Sequence, residues 1–312
     1  MSGQDHPSGE FSFIEWLKEQ TPSHPRVLVG PGVDDAAVLA LDAARPVVLT
    51  TDMLMDGICF RLEEAGPRRV GRKAMAVNLS DIAAMAARPT AALVSVALPR
   101  CGGKSIAQDL YAGLREMGED YDVPIVGGDT NSWDGPLVIS VTVLGEATEQ
   151  GVVRRNGAQP GDWLLTTGAL GGSILGKHLD FKPRVYESLE LHAMAPLHAM
   201  IDISDGLAAD LHHICVESGC GAILHAGSIP IADAARQIGD GKLPLEHALH
   251  DGEDFELVLA LPPADAQRLI KDQPIRGITL SHIGECVPEG LWIEEAGALR
   301  PLEPRGFEHR LE

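Results

Sequence analysis

Short apolar runs recur along the chain, separated by polar turns, and their periods read alternately as strands and helices. Residues 11–19 place Phe13, Ile14 and Leu17 on one side, which predicts a short amphipathic helix. PVVLTT (46–51) predicts a buried strand. Residues 67–77 predict a helix, with Pro67 suited to its first turn and Val70, Ala74 and Val77 on one face. LVSVAL (93–98) reads as a strand, 106–117 as a helix, 124–126 as a short strand and LVISVTVL (137–144) as a β-branched strand. In the second half, 163–167 and 256–261 read as strands, and 168–179 as a glycine-rich turn leading into a helix. Residues 207–217 predict a helix with Leu207, Leu211, Ile214 and Cys215 on one face. The polar, turn-rich stretch 154–163 sets a boundary near Glu149. Two domains are therefore expected, residues 1–149 and 150–312, each mixing strands with helices in an α+β or mixed α/β fold.

Composition sharpens this picture. Apolar residues form 45% of the chain and aromatics only 4%, so the core must be built mainly from Ala, Val, Leu and Ile. The formal net charge of −20 disfavours nucleic acid and anionic membranes as partners, because both attract Lys and Arg. The same charge would repel a phosphorylated substrate unless bound cations offset it; equally, it can serve solubility alone. The five Cys are odd in number and include no CxxC pair, which argues against a disulfide framework or zinc ribbon. The first ten residues are polar, and no apolar run approaches the roughly 20 residues of a membrane helix. We expect a cytoplasmic protein.

Several acidic residues share one context, a small-residue or glycine-rich segment beside an apolar run. They are Asp34 and Asp35 (PGVDDAAVL), Asp52 (VVLTTDML), Asp81 (NLSDIAAM), Asp129 (IVGGDTN), Asp202 and Asp205 (MIDISDGL), and Glu253 and Asp254 (HDGEDFELVL). A single such residue is as readily a turn former or helix cap. Their number points instead to hard cations such as Mg²⁺, which take carboxylate oxygens together with water and substrate phosphates. On this reading the carboxylates lie in turns at the ends of buried strands.

The familiar nucleotide signatures are missing: there is no GxxxxGK[ST], no GxGxxG after a strand and no HRD–DFG pair. Gly127-Gly128-Asp129-Thr130 could let backbone N–H groups approach a phosphate beside a metal-holding Asp. Arg155 could grip a phosphate or be a solvated linker charge. Ser204 is not in a GxSxG elbow, and His212 and His213 are adjacent, so on a helix they point about 100° apart. No covalent nucleophile stands out.

Taken in order, GVDDAAVL (32–39), TTD (50–52), KAMAVNLSDIAAMAA (73–87), GGDT (127–130), RNGAQPGDW (155–163), DISDGL (202–207) and GEDFEL (252–257) resemble the thiamine-monophosphate kinase family. The resemblance spans nearly the whole chain. Pieces of it recur in a wider superfamily with aminoimidazole ribonucleotide synthetase and selenophosphate synthetase. It implies ATP-dependent phosphorylation of thiamine monophosphate to thiamine diphosphate. It also implies a mixed-sheet N-terminal domain that pairs with a second copy in a barrel-like homodimer, and an α+β C-terminal domain. The magnesium ligands it implies are Asp35, Thr50, Thr51, Asp52, Asp81, Asp129, Asp202 and Asp205. The ATP contacts are Gly128, Asp129, Arg155 and Ser204, and the substrate contacts Cys59, Glu253 and Phe307 (in RGFEH). Two positions depart from the family pattern: Cys59 stands where a His is usual before Phe60, and Asp251 replaces a glycine. A sister enzyme that activates a carbonyl or selenide remains a rival, although no Cys precedes Cys59 to serve selenide chemistry. So does a non-catalytic, acidic cation-binding protein.

Overall fold

The structure, a computed structural model, describes residues 16–17, 19–29, 38–39, 41–42 and 44–308. Asp34 and Asp35 lie outside these residues, as do Phe13 and Ile14 of the first expected helix; of that helix, Trp16, Leu17, Glu19 and Gln20 are helical. The chain divides into two compact units, one holding residues up to Ile82 and Pro89–Ala147, the other Ala83–Arg88 and Thr148 onward.

The first unit is built on a four-stranded sheet of β3 (Val47–Met55), β4 (Arg88–Pro99), β5 (Ile125–Trp133) and β6 (Val138–Glu146), in the order β3-β6-β4-β5. A separate ribbon pairs β1 (Val27–Val29) with β2 (Val38–Leu39). β3 and β6 pair antiparallel over nine residues, from Val47↔Glu146 to Met55↔Val138. β4 and β5 run parallel, joined by the crossover helix α3 (Gly103–Asp120). Two further helices, α1 (Leu62–Ala65) and α2 (Pro67–Ala84), follow β3. α2 and α3 cross where Gly71 and Gly113 meet: a Cβ on Gly71 would strike the carbonyl of Leu110, and one on Gly113 that of Arg68. Ile139, Val141 and Val143 are fully buried in β6, alternating with half-buried neighbours. Along β3 the alternation is reversed in character. Val47, Leu49, Met53 and Met55 are exposed, while Thr50 and Asp52 turn to the half-buried face.

The second unit is a seven-stranded sheet in the order β13-β12-β9-β11-β7-β10-β8. Its strands are β7 (Trp163–Thr166), β8 (Ala199–Asp202), β9 (Gly221–His225), β10 (Leu257–Leu261), β11 (Ser281–Val287), β12 (Leu291–Glu295) and β13 (Ala298–Pro301). All neighbours are antiparallel except β9 and β12. The helices are α4 (Lys177–Asp180), α5 (Val185–Met194), α6 (Leu207–Ser218), α7 (Pro244–His250) and α8 (Pro263–Asp272). On one face Leu164, Ile201, Val258 and Ala260 pack with Leu207, Leu211 and Ile214 of α6. On the other, Leu165, Met200, Leu257 and Leu259 pack with Leu191 of α5 and Leu269 of α8. Covered on both sides, β10 is buried at every position, which is why LVLAL is apolar without alternation. The α+β, mixed-sheet class is as expected. No helix among the described residues is long and apolar enough to cross a membrane.

Three expectations about the carboxylates' surroundings are corrected. Asp52 lies within β3, which continues to Met55. Asp129 lies within β5, because the short strand expected at 124–126 runs on to Trp133, held by parallel backbone pairing with β4 through Pro99↔Trp133. Asp81 sits at the start of the last turn of α2, which extends past Val77 to Ala84. The expected helix after Gly168 breaks into a 3₁₀ turn (Ser173–Leu175) and the four-residue α4, with Gly176 at φ 137° between them.

Candidate active-site elements in each unit

In the first unit the two-residue period of β3 turns Thr50 and Asp52 toward α2. Thr50 Oγ1 donates to Asp81 Oδ2, and the backbone N–H of Asp52 donates to Asn78 Oδ1 at 3.1 Å. Asn78 is itself buried and bonded to the carbonyl of Ala74 at 3.0 Å, so α2 fixes the height of β3 from within its own hydrogen-bonding pattern. Burial, and secondarily the charge of Asp81, push the Asp52 carboxyl up to about 7. A half-buried carboxylate facing the charge of a second one is a setting that suits a hard divalent cation. Thr51 points to the opposite face, where its hydroxyl contacts the carbonyl of Val141 (3.1 Å) and the hydroxyl of Thr142 (3.0 Å). Its hydroxyl is thus turned away from the face that carries Thr50 and Asp52.

Asp129 and Gly128 stand on β5, at the opposite edge of the sheet from β3. Three strand spacings, about 14 Å across a flat sheet, separate the strand of Asp52 from that of Asp129. Gly128 is needed for packing: a Cβ there would collide with the backbone carbonyl of Val94 on β4, whereas one on Gly127 would only press the Leu93 side chain at 3.2 Å. Cys59 is half-buried in the turn after β3; its Sγ accepts from Met55 N at 3.5 Å, and its carbonyl accepts from Lys73 Nζ at 2.6 Å.

In the second unit backbone bonds gather residues from three distant segments. Asp202 ends β8 and is buried; Ser204 and Asp205 form the turn into α6. The carbonyl of Ser204 accepts from the N–H of Glu253 at 2.7 Å, and that of Asp205 from the N–H of Phe307 at 2.9 Å. Ile203 and the 255–256 segment exchange two further bonds, each 2.8 Å. Glu253 and Phe255 hold φ of 52° and 49°, a left-handed conformation uncommon for residues with a Cβ. The structure thus brings Asp202, Ser204, Asp205, Glu253 and Phe307 into one neighbourhood. Asp210, buried in the first turn of α6, joins them; burial first, then Asp202 and Asp205, push its carboxyl up to about 8. Arg155 is exposed, and its carbonyl accepts from Ser218 Oγ at 2.8 Å, at the far end of α6.

The GEDFE segment is anchored from below by a buried ion network that sequence reading missed. Glu256 accepts two bonds from Arg184 (2.8 and 2.7 Å), one from Lys177 Nζ (2.9 Å) and one from Thr167 Oγ1 (2.8 Å). Burial alone would raise its carboxyl, but the bonded Arg184 guanidinium and the Lys177 ammonium hold it below its usual value. Asp254 accepts from Gly171 N at 2.8 Å. Burial pushes it up to about 7 against the pull of Lys177, 3.8 Å away. Asp251 bonds His247 Nδ1 at 2.8 Å and accepts from Gly172 N at 3.3 Å, so its side chain has structural work at the position where it departs from the family pattern. Among the described residues no three His, Cys, Asp or Glu side chains converge on one metal position.

The chain matches the description AIR synthase related protein, N-terminal domain, over residues 33–147, and AIR synthase related protein, C-terminal domain, over residues 141–292. It is similar to a thiamine-monophosphate kinase of Rhodopirellula baltica, with 43% identity over 311 residues covering 96% of this chain and 97% of the relative. The crystal structure of thiamine-monophosphate kinase from Stenotrophomonas maltophilia K279a has a TM-score of 0.81 at 31% identity, covering 93% of this chain and 98% of that one. AaThiL complexed with AMPPCP and TMP has a TM-score of 0.75 at 29% identity, covering 97% of both chains. The chain belongs to the AIR synthase related family and, within it, to the thiamine-monophosphate kinases.

Proposed function

We propose that this chain transfers the γ-phosphoryl group of ATP to thiamine monophosphate, giving thiamine diphosphate and ADP. The observation that carries this reading is similarity along the whole chain to enzymes of that name, among them one bound to AMPPCP and TMP. In the reaction a phosphate oxygen of thiamine monophosphate forms a bond to the γ-phosphorus as the bond from that phosphorus to the β-phosphate oxygen breaks. The acceptor oxygen is already largely anionic near neutral pH, since the second pKa of a phosphate ester is about 6. No strong general base is required, in keeping with a site built of carboxylates rather than a His-based pair. What remains is to hold two polyanions in line and neutralise their charge.

On this reading Asp35, Asp52 with Thr50 and the Thr51 backbone, Asp81, Asp129, Asp202 and Asp205 hold Mg²⁺. When bound, the ions supply the positive charge that lets the two phosphate chains approach. Gly128, Asp129, Arg155 and Ser204 serve the nucleotide. Glu253 offers a carboxylate to the cationic, amine-bearing rings of thiamine, and Phe307 offers an aromatic face for stacking, being 53% exposed. Cys59, on the first unit, is the third proposed thiamine-side position and has no imidazole to donate.

We further propose a homodimer formed through the first unit. The outward row Val47, Leu49, Met53 and Met55, with Leu93, leaves apolar side chains exposed on the sheet, uncovered by any helix among the described residues. Pairing two such sheets into a barrel would also bring the β3 edge of one copy toward the β5 edge of the other, which accounts for Asp52 and Asp129 lying on opposite edges. The five free cysteines fit a reducing cytoplasm.

The test is incubation of the purified chain with ATP, Mg²⁺ and thiamine monophosphate, following ADP by a coupled assay and thiamine diphosphate by chromatography. Equal formation of both products supports the reading. ADP release only with aminoimidazole-pathway substrates, or cation binding with no turnover, would refute it.

A further inference from the structure

We infer that Asp210 is a positioning residue, whose carboxylate oxygen fixes the Ser204–Gly206 turn and thereby aims Asp205; the inference rests on the function proposed above. Asp210 is 2% exposed, and one oxygen, Oδ2, accepts from both Asp205 N and Gly206 N at 3.0 Å each. The start of a helix leaves backbone N–H groups without partners, which a side chain at the cap usually accepts. Here the cap is Gly206, which has no side chain to do so. Asp210 supplies the acceptor from inside the first turn, and its own N–H returns a bond to the Gly206 carbonyl at 2.9 Å.

The carbonyl side of the same turn is taken by the segments carrying the proposed thiamine contacts. Ser204 O accepts from Glu253 N and Asp205 O from Phe307 N. The peptide units of Ser204 and Asp205 are therefore held from both sides. Asp210 provides the donor-side restraint, and Glu253 and Phe307 the acceptor-side one. Loss of the Asp210 oxygen frees two N–H groups at once and lets the turn rotate about the two remaining bonds. The residues most affected are Ser204 and Asp205, assigned above to nucleotide and metal. Because one oxygen takes both bonds, its position is what the turn requires; an amide oxygen in the same place serves equally.

Asp210→Asn and Asp210→Glu separate position from charge. Asn keeps the oxygen and removes the charge, while Glu keeps the charge and moves the oxygen by one methylene. The expected result is that Asn retains kcat/KM within about 5-fold, while Glu loses about 100-fold, the scale of an ångström misplacement in an active site. For Glu, the Mg²⁺ concentration giving half-maximal rate and KM for ATP should both rise, with thermal midpoints recorded for each variant. A purely structural role would lower the midpoint and leave the Mg²⁺ dependence unchanged, and that outcome overturns the inference. So does an Asn variant as impaired as Glu, or a Glu variant indistinguishable from wild type. If Asp210→Glu does not fold, Asp210→Ala replaces it with the same expectation. Binding of AMPPCP with Mg²⁺, measured by calorimetry, reads the same contrast without turnover. A wild type that makes no thiamine diphosphate would thus refute the reaction while the Asp210 contrast is still decided by binding.

Discussion

Lys73, fully buried on α2, donates from Nζ to the backbone carbonyl of Cys59 at 2.6 Å. A helix residue thereby holds the turn after β3 that carries the proposed thiamine-side position. Lys73→Met keeps most of the stem's volume and removes the donor. We expect a loss of about 1–3 kcal/mol in urea unfolding, the usual cost of stranding a buried polar group. Cys59 should react faster with a thiol reagent in a Cys101→Ser background, which removes the exposed thiol. Unchanged stability and labelling would show that the contact restrains nothing.

Gly128 and Gly127 should tolerate alanine very differently. At 128 a methyl group would meet the rigid carbonyl of Val94; at 127 it meets only the flexible end of Leu93. Gly128→Ala should therefore break the β4–β5 pairing and give little folded protein, while Gly127→Ala should fold with a thermal midpoint near wild type. Circular dichroism melts decide this, and equal behaviour of the two variants would contradict the packing account.

Asp254 should make stability depend on pH. Its carboxyl rises from an ordinary 3.8 to about 7 in the folded chain, first through burial. The folded state thus keeps a proton that the unfolded chain releases. That contribution is complete below about 3.8, and it is lost as pH climbs toward about 7. Asp254→Asn removes the titration. The variant should therefore gain on wild type between about pH 4 and pH 8, by up to about 4 kcal/mol for three pKa units. A difference in unfolding free energy that stays flat across that range would refute the assignment.

The apolar row on β3 should report assembly. Leu49 is 64% exposed and Met53 61%. A carboxylate at either place would be buried, unpaired, in a face-to-face dimer. Leu49→Asp should shift the protein from dimer to monomer in sedimentation velocity, leaving the circular dichroism spectrum intact. Wild-type protein that sediments as a monomer at micromolar concentration would remove the proposal.

Elements whose pattern agrees with their local propensity were legible from the residues. LVISVTVL alternates because only one side of β6 is buried, and α6 shows Leu207, Leu211 and Ile214 at helical spacing because they enter one core. The misreadings came where tertiary contact overrides local preference. Gly127-Gly128 looks like a turn, yet a neighbouring strand at close range demands a residue without a Cβ. Asp81 looks like a cap, yet it lies inside α2 as the acceptor of Thr50. Pairings across long sequence gaps, such as Arg184 with Glu256 or Ser204 with Glu253, leave no local trace. Two signals were available and unused. Lys73 is a charge set between Val70 and Val77 on the apolar face of α2, and Asp210 falls in the first turn of a helix capped by glycine.

The left-handed backbone at Glu253 sets thermal endurance against chemistry. A residue with a Cβ held in that conformation costs on the order of 1 kcal/mol, and glycine would relieve it. Phe255 shares the conformation but is buried and stacked on Phe181 at 3.9 Å, and losing its ring would cost more than the relief returns. A search for heat-resistant variants would therefore be drawn to position 253, where the relief would erase the carboxylate proposed to meet thiamine. Selection for endurance alone would then enrich sturdier proteins that have lost their substrate.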